Sequence, residues 1–211
     1  MRSGGSAVVA LAMAAGVAAV AAVASARRGA KAANRAKQPQ LLPDDAAYVA
    51  RLATPNDAAV VHQMVLLLAE FERAVHEVRI GVKTLRADLA RGACEALLLS
   101  RRGGDDVVGV AVFFRSYSTW EGECMYLEDL FVRQEHRGQG AGSALLRAVA
   151  TLARHRDAAR LPWQALSWNR SAIDFYESPR VGARLRKGDD GSEWLNFIME
   201  RPQIRDLSMM S

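Results

Sequence analysis

The sequence predicts an α+β fold, a mixed and mostly antiparallel sheet flanked by helices. Three observations carry that prediction. Apolar runs at 96–100 and 107–114 are separated by the polar stretch Arg-Arg-Gly-Gly-Asp-Asp at 101–106, which reads as a hairpin. A β-rich run from Tyr126 passes through a polar turn into Gly138, Gly140 and Gly142, and then into a helical pattern carrying Leu145, Leu146 and Val149. The full order, β-α-α-β-β-β-α-β-α-β, mixes hairpins with crossovers, as a sheet of mixed connection requires.

Taken in order, residues 47–53 alternate loosely and predict a first strand. Thr54 then offers an N-cap, Pro55 a first helical position and Asp57 an acid three residues after the cap. The helix they open runs through Val60, Val61, Met64, Leu67 and Leu68, and a second amphipathic helix covers 83–91. After the hairpin and the central strand, the Gly-rich turn leads into a helix over 142–156. Residues 161–168 predict a further strand, and Pro162 places its start at an edge or a bulge. A short helix over 171–176 follows, which Pro179 ends early, and 193–199 predicts the strand that closes the sheet. There is no internal repeat.

The chain has 211 residues, half of them hydrophobic, enough for one domain with a full core. A net charge of +5 suggests a nucleic-acid binder, but the distribution excludes one. Residues 1–43 hold Arg2, Arg27, Arg28, Lys31, Arg35 and Lys37 and no acid, so the remaining chain carries 22 basic against 23 acidic residues. The expected organisation is a leader and basic linker at 1–43, a domain at 44–202 and a loose tail at 203–211.

Residues 7–26 are uncharged and just long enough to span a bilayer. They read as a signal peptide with Ala24, Ser25 and Ala26 at the cleavage site, as an anchor that holds the domain on the cytoplasmic side, or as an organelle transit peptide. The alanine-rich run is weakly hydrophobic for an anchor, but its uninterrupted length argues against a transit peptide, and the anchor, with membrane contact through 7–26, is narrowly preferred. Cys94 and Cys124 stand apart and read as free thiols. His62, His76, His136 and His155 show no ligand spacing, so no metal is expected, and His136 reads as a solvated turn residue.

The strand, Gly-rich turn and helix together make the geometry of an anion site. Glycines let backbone approach a ligand, and free N–H groups at a helix N-terminus point at negative charge, with a diphosphate as the natural guest. The loop lacks the Gly-Lys-Ser/Thr of a Walker motif and the Gly-x-Gly-x-x-Gly spacing.

The stretch from Arg137 to Gly142 resembles the Arg/Gln-x-x-Gly-x-Gly/Ala loop of the Gcn5-related N-acetyltransferases (GNAT). Tyr126, Leu127, Glu128, Asp129, Leu130, Phe131 and Val132 resemble the fourth strand of the diamine acetyltransferases, of the spermidine/spermine and thialysine types. Trp168, Asn169, Phe175 and Tyr176 are similar to the Trp-Asn segment of the same enzymes. Leu68 to Glu72, Leu85 to Asp88 and Tyr117 to Trp120 look like the thialysine type. Five residues separate Tyr176 from Gly182 where the family usually has three, which loosens the placement of everything beyond.

The resemblance implies the acyl-CoA N-acyltransferase fold, acetyl-CoA as co-substrate and a homodimer. It implies transfer of acetyl to a primary amine of a small diamine, polyamine or thialysine-like amino acid, directly in a ternary complex. The alternatives are a protein or peptide N-acetyltransferase and a non-catalytic acyl-CoA-binding sensor. Carried over residue by residue, Leu130, Phe131 and Val132 meet the pantetheine arm. Arg137, Gly138, Gln139, Gly140, Ala141, Gly142 and Ser143 form the pyrophosphate loop, and Asn169 and Ala172 face the cofactor. Phe71, Glu72, Glu128 and Asp129 meet the amine, with Trp163 and its neighbours Pro162 and Gln164. Glu193 or Asp190 supplies a further acid. Glu128 is the implied base and Tyr176 the implied acid.

The chemistry needs these types. An alkylamine, with a pKa of about 10.4, arrives protonated and must lose that proton before it attacks. On a regular strand Glu128 and Asp129 face opposite sides, which leaves Asp129 beside Leu127 and Phe131 on an apolar face. A bulge at this point would relieve the conflict by turning both carboxylates toward the cleft.

Overall fold

The computed structural model describes residues 39–184. The chain divides into two compact units, Met1–Trp163 and Gln164–Ser211.

The first unit is built on a four-stranded antiparallel sheet in the order β1-β2-β3-β4. Its strands are β1 (Tyr48–Leu52), β2 (Glu95–Arg101), β3 (Val107–Ser118) and β4 (Gly122–Val132). Helices α1 (Ala58–Phe71), α2 (Val82–Arg91) and α3 (Ala141–His155) accompany it. The β2–β3 hairpin forms as expected, and β3 and β4 extend past the expected limits to meet in a long second hairpin.

Covering helices on both faces explain why β2 and β3 read as continuous apolar runs rather than as an alternating pattern. Ala58, Val61 and Met64 of α1 and Leu85 of α2 pack with Ala96, Leu98, Val110, Val112 and Phe131 on one face. On the other face Leu145 of α3 lies over Gly109, where a Cβ would come within 3.3 Å of its Cδ2 and 3.1 Å of the Phe131 carbonyl. A side chain at 109 would need these neighbours to give by a few tenths of an ångström, so glycine suits the close approach of α3 to the sheet. At the end of α3, Arg156 forms a two-pronged ion pair with Glu95, both bonds 2.7 Å, and its guanidinium stacks over Phe113 at 5.7 Å.

The expected helix start at Thr54 is a single 3-10 turn, Pro55–Asp57, followed by α1. Asp57 accepts from the Thr54 backbone N–H and hydroxyl, both at 2.7 Å, and from both guanidinium nitrogens of Arg51. These bonds, the Arg51 pair first, hold the Asp57 carboxyl well below the usual carboxylate range despite partial burial.

Residues 161–168 do not form the expected strand. Residues 159–162 instead follow β4 through single backbone bonds: Ala159 N–H to Glu123, Met125 N–H to Arg160 and Leu127 N–H to Pro162. Proline has no N–H to return, so the ladder is not completed at Pro162.

The packed chain also begins upstream of Asp44. Leu41 and Leu42 are buried, and Arg102 donates to the carbonyls of Pro43 and Ala46. Among the described residues no helix is long and apolar enough to cross a membrane; the expected span at 7–26, the tail at 203–211, the strand at 193–199 and the acids Asp190 and Glu193 all lie outside them.

In the second unit α4 (Arg170–Glu177) is capped by the Asn169 side chain, which accepts from the Ala172 N–H at 3.2 Å. The helix ends just before Pro179, where the sequence placed its end.

Candidate active site

The site in the first unit grows from one irregularity in β4. Phe113 pairs with Leu127 and Val112 pairs with Asp129, so Glu128 is the extra residue of a β-bulge. The register places Leu127 on the α3 face and moves Asp129 to the α1 face, beside Phe131. Without the bulge, Leu127, Asp129 and Phe131 would share one face. A bulge is thus present where alternation was in conflict, but it does not turn both carboxylates outward: Glu128 is exposed, while Asp129 stays half-buried beside Phe131.

Its effect is electrostatic. Burial pushes the Asp129 carboxyl up to about 7, and repulsion from Glu128 and then Glu72 adds to the rise. Glu72, at the C-terminal end of α1, is itself raised by burial. Glu128 remains exposed. Glu128 and Glu72 thus both lie close enough to Asp129 to oppose its ionisation, an arrangement that a cation relieves.

Arg137 ties this region to the Gly-rich loop. Its Nε donates to the Val132 carbonyl at 2.9 Å, and its guanidinium lies 4.8 Å over Phe71 and 5.4 Å over Phe131. Expected at the pyrophosphate, this side chain instead joins the end of α1 to β4.

The loop opens with a 3-10 turn, Gln134–His136, and reaches α3 through Gly138 and Gly140, at φ 71° and 85°. Both glycines occupy the left-handed region that a side chain resists. A Cβ at either would meet no protein atom within 4 Å, so the backbone is open to an approaching group on that side. Gly140 is the N-cap of α3, and no side chain caps this helix end. The amides of Ala141, Gly142 and Ser143 therefore lie in an uncapped first turn, the donor set that suits a diphosphate.

Gln139 is held in place. Its carbonyl accepts from the Tyr48 hydroxyl at 3.2 Å, its Oε1 accepts from Arg101, and its Nε2 donates to the Glu135 carbonyl at 2.8 Å. Sequence reasoning missed Tyr48 and Arg101, because both contacts span long stretches of chain and no local pattern announces them. The expectation for His136 is corrected too: it is half-buried, and its Nδ1 meets no hydrogen-bond partner.

The backbone bonds made to β4 by residues 159–162 end at Leu127, ahead of Leu130, Phe131 and Val132. Trp163 is half-buried at the end of that segment. Asn169, Ala172 and Tyr176 fall in the second unit. There Asn169 is engaged as a helix cap, and Tyr176 packs against Phe175 with ring centroids 5.4 Å apart. Cys94 is a half-buried free thiol raised mainly by burial and next by Asp88; Cys124 is free and buried.

Comparison with known proteins agrees with this arrangement. Residues 63–180 match the acetyltransferase (GNAT) family. The thialysine N-epsilon-acetyltransferase of Bos taurus is 35% identical over 169 residues, 75% of this chain and 95% of that protein. The Caenorhabditis elegans enzyme of the same name is 34% identical, over 72% of this chain and 91% of that protein. Among solved structures, an aminoglycoside acetyltransferase from an uncultured soil metagenomic sample superposes with a TM-score of 0.57 at 19% identity, over 75% of this chain and 99% of that one, a likeness of fold. With the sheet, the bulged strand and the glycine loop all in place, the chain belongs to the GNAT family and is an N-acetyltransferase.

Proposed function

We propose that this enzyme transfers acetyl from acetyl-CoA to a primary amine of a small diamine, polyamine or thialysine-like amino acid, directly within a ternary complex. The observation that carries the substrate class is the convergence of Glu72, Glu128 and Asp129, with Asp129 held near neutrality by burial and like charge. The names of the bovine and nematode relatives point to the same class of amine. GNAT enzymes generally use acetyl-CoA, and the open glycine loop with its uncapped helix start suits the pyrophosphate of that co-substrate.

In this reading Leu130, Phe131 and Val132 lend their backbone to the pantetheine arm, and the amides from Gly138 to Ser143 hold the pyrophosphate. Asp129 and Glu72 attract the cationic groups of the substrate, and an arriving ammonium favours the ionised form of Asp129. Glu128, exposed at the bulge, takes the proton of the attacking amine, directly or through water. The neutral nitrogen attacks the thioester carbonyl, the C–S bond breaks, the departing thiolate takes a proton from Tyr176, and the second proton that the nitrogen sheds as the amide forms returns through water to Tyr176. A thiol pKa of about 8.5 against about 10 for a phenol makes the transfer to the thiolate inexpensive. Tyr176, Asn169 and Ala172 hold their roles here by family resemblance. Holding amine and thioester in line removes the need for an acyl-enzyme.

The test is acetyl-CoA turnover with and without amine. Release of CoA only when a diamine or lysine analogue is present, with no acetyl group left on the protein, is the expected result. Acetylation of the protein by acetyl-CoA alone, discharged on adding amine, would contradict direct transfer.

A further inference from the structure

We infer that Tyr48 and Arg101 are positioning residues that aim the glycine loop at the pyrophosphate, an inference that rests on the acetyl-CoA reading above. The two residues face each other across the β1–β2 pair, and both grip Gln139. Tyr48 is buried, with 6% exposure, and its hydroxyl holds the Gln139 carbonyl. Arg101 holds the side-chain Oε1, while Nε2 is anchored on Glu135. The Gln139 side chain is thereby used as a strut and is not available as a phosphate ligand.

The consequence lies in the peptide that joins Gln139 to Gly140. Gln139 and Gly140 flank it, and on the Gly140 side no side chain opposes a peptide flip. In a planar trans peptide the C=O and the following N–H point in opposite directions. With the Gln139 carbonyl fixed on Tyr48, the Gly140 N–H is turned away from β1. A flipped peptide would present a carbonyl oxygen to the diphosphate in place of a donor. The Tyr48 hydroxyl thus selects the donor orientation before ligand arrives, and the Arg101–Gln139–Glu135 chain keeps the loop from rotating as a body.

The experiment compares kcat/KM for acetyl-CoA and for S-acetylpantetheine, which carries the same thioester and arm without pyrophosphate, in the wild type, Tyr48→Phe and Arg101→Met. Tyr48→Phe is expected to lower kcat/KM for acetyl-CoA about tenfold through KM, the loss of one aligned hydrogen bond. With S-acetylpantetheine it is expected to match the wild type. Arg101→Met moves the acetyl-CoA value in the same direction by less. Parallel losses on both thioesters in Tyr48→Phe would show a merely structural role, and no loss on either would show none; each overturns the inference while leaving the pyrophosphate assignment intact. A wild type that uses both thioesters equally well overturns the assignment and the inference together.

Discussion

Arg137 lies 4.8 Å over the ring of Phe71, joining the start of the glycine loop to the last residue of α1. Glu72 follows Phe71 directly, so one guanidinium links the glycine loop to the acid cluster, the two sides proposed above for co-substrate and amine. Cation–π contacts of this kind contribute about 0.5–2 kcal/mol, and lysine cannot reproduce the flat face that makes them. Arg137→Lys and Phe71→Leu are each expected to weaken amine binding several-fold. The double variant is expected to lose little more than either alone. Isothermal titration of the amine into enzyme saturated with a non-hydrolysable acetyl-CoA analogue checks this; additive losses would show that the two side chains act independently.

Gly140 sits at φ 85° with open space where a Cβ would lie. A β-branched residue there is opposed by the backbone rather than by a neighbour, at about 1–2 kcal/mol for the left-handed conformation. Gly140→Val is expected to fold and to lose acetyl-CoA affinity strongly, measured by titration calorimetry on the folded variant. Unchanged affinity would remove the loop from the binding site.

Asp129 gives a pH prediction whose sign follows from its raised pKa. Its carboxyl titrates at about 7 in the folded chain, against about 3.9 unfolded. Between those values the native state holds a proton that the unfolded state has released, so Asp129 makes stability fall as pH rises from about 4 to about 7. Attraction of a cation needs the ionised form, so kcat/KM is expected to fall below about pH 7. Asp129→Asn should flatten that acidic limb, lower kcat/KM at pH 8 and melt higher than the wild type at pH 8. A limb that persists unchanged in Asp129→Asn would assign the titration to another group.

Asp57 behaves in the opposite sense. Its pKa is depressed, so its contribution is present above the usual carboxylate range and is lost as pH falls through the folded value. Asp57→Ala removes the cap of the 3-10 turn and the Arg51 pair together. A loss of roughly 0.5–2 kcal/mol at pH 7 is expected, shrinking toward pH 2, by urea denaturation. Equal destabilisation at both pH values would mean that packing, not charge, is what Asp57 supplies.

Leu41 and Leu42 test where the domain starts. Each is buried, and a buried leucine contributes about 1.5–3 kcal/mol. Protein beginning at Gln38 is expected to be fully active and to melt well above protein beginning at Asp44. Identical melting would show that the two leucines lend nothing to the core.

Much of this architecture could be read from the residues. Val107 to Phe114 and the Leu145, Leu146, Val149 spacing announce a buried strand and a core-facing helix without ambiguity. The bulge at Glu128 was legible as a conflict, because alternation alone left Asp129 on an apolar face. Residues 161–168 misled, since their apolar content reads as a strand while Pro162 denies the ladder its return bond. Tyr48 and Arg101 were invisible as site residues, because their roles depend on β1 and β2 passing beside a loop far along the chain. Leu41 and Leu42 read as linker in the sequence because they sit between a basic stretch and Pro43.

The central claim is that acids from α1 and β4 select an amine that carries a second cationic group. The measurement is the ratio of kcat/KM for thialysine or a short diamine to that for a neutral monoamine of equal length, in the wild type and in Glu72→Gln. A distal charge contact of about 1.5–3 kcal/mol predicts a ratio of one to two decades in the wild type, narrowed in Glu72→Gln. A histone-type or N-terminal peptide that outcompetes every small amine in the same assay would contradict the account.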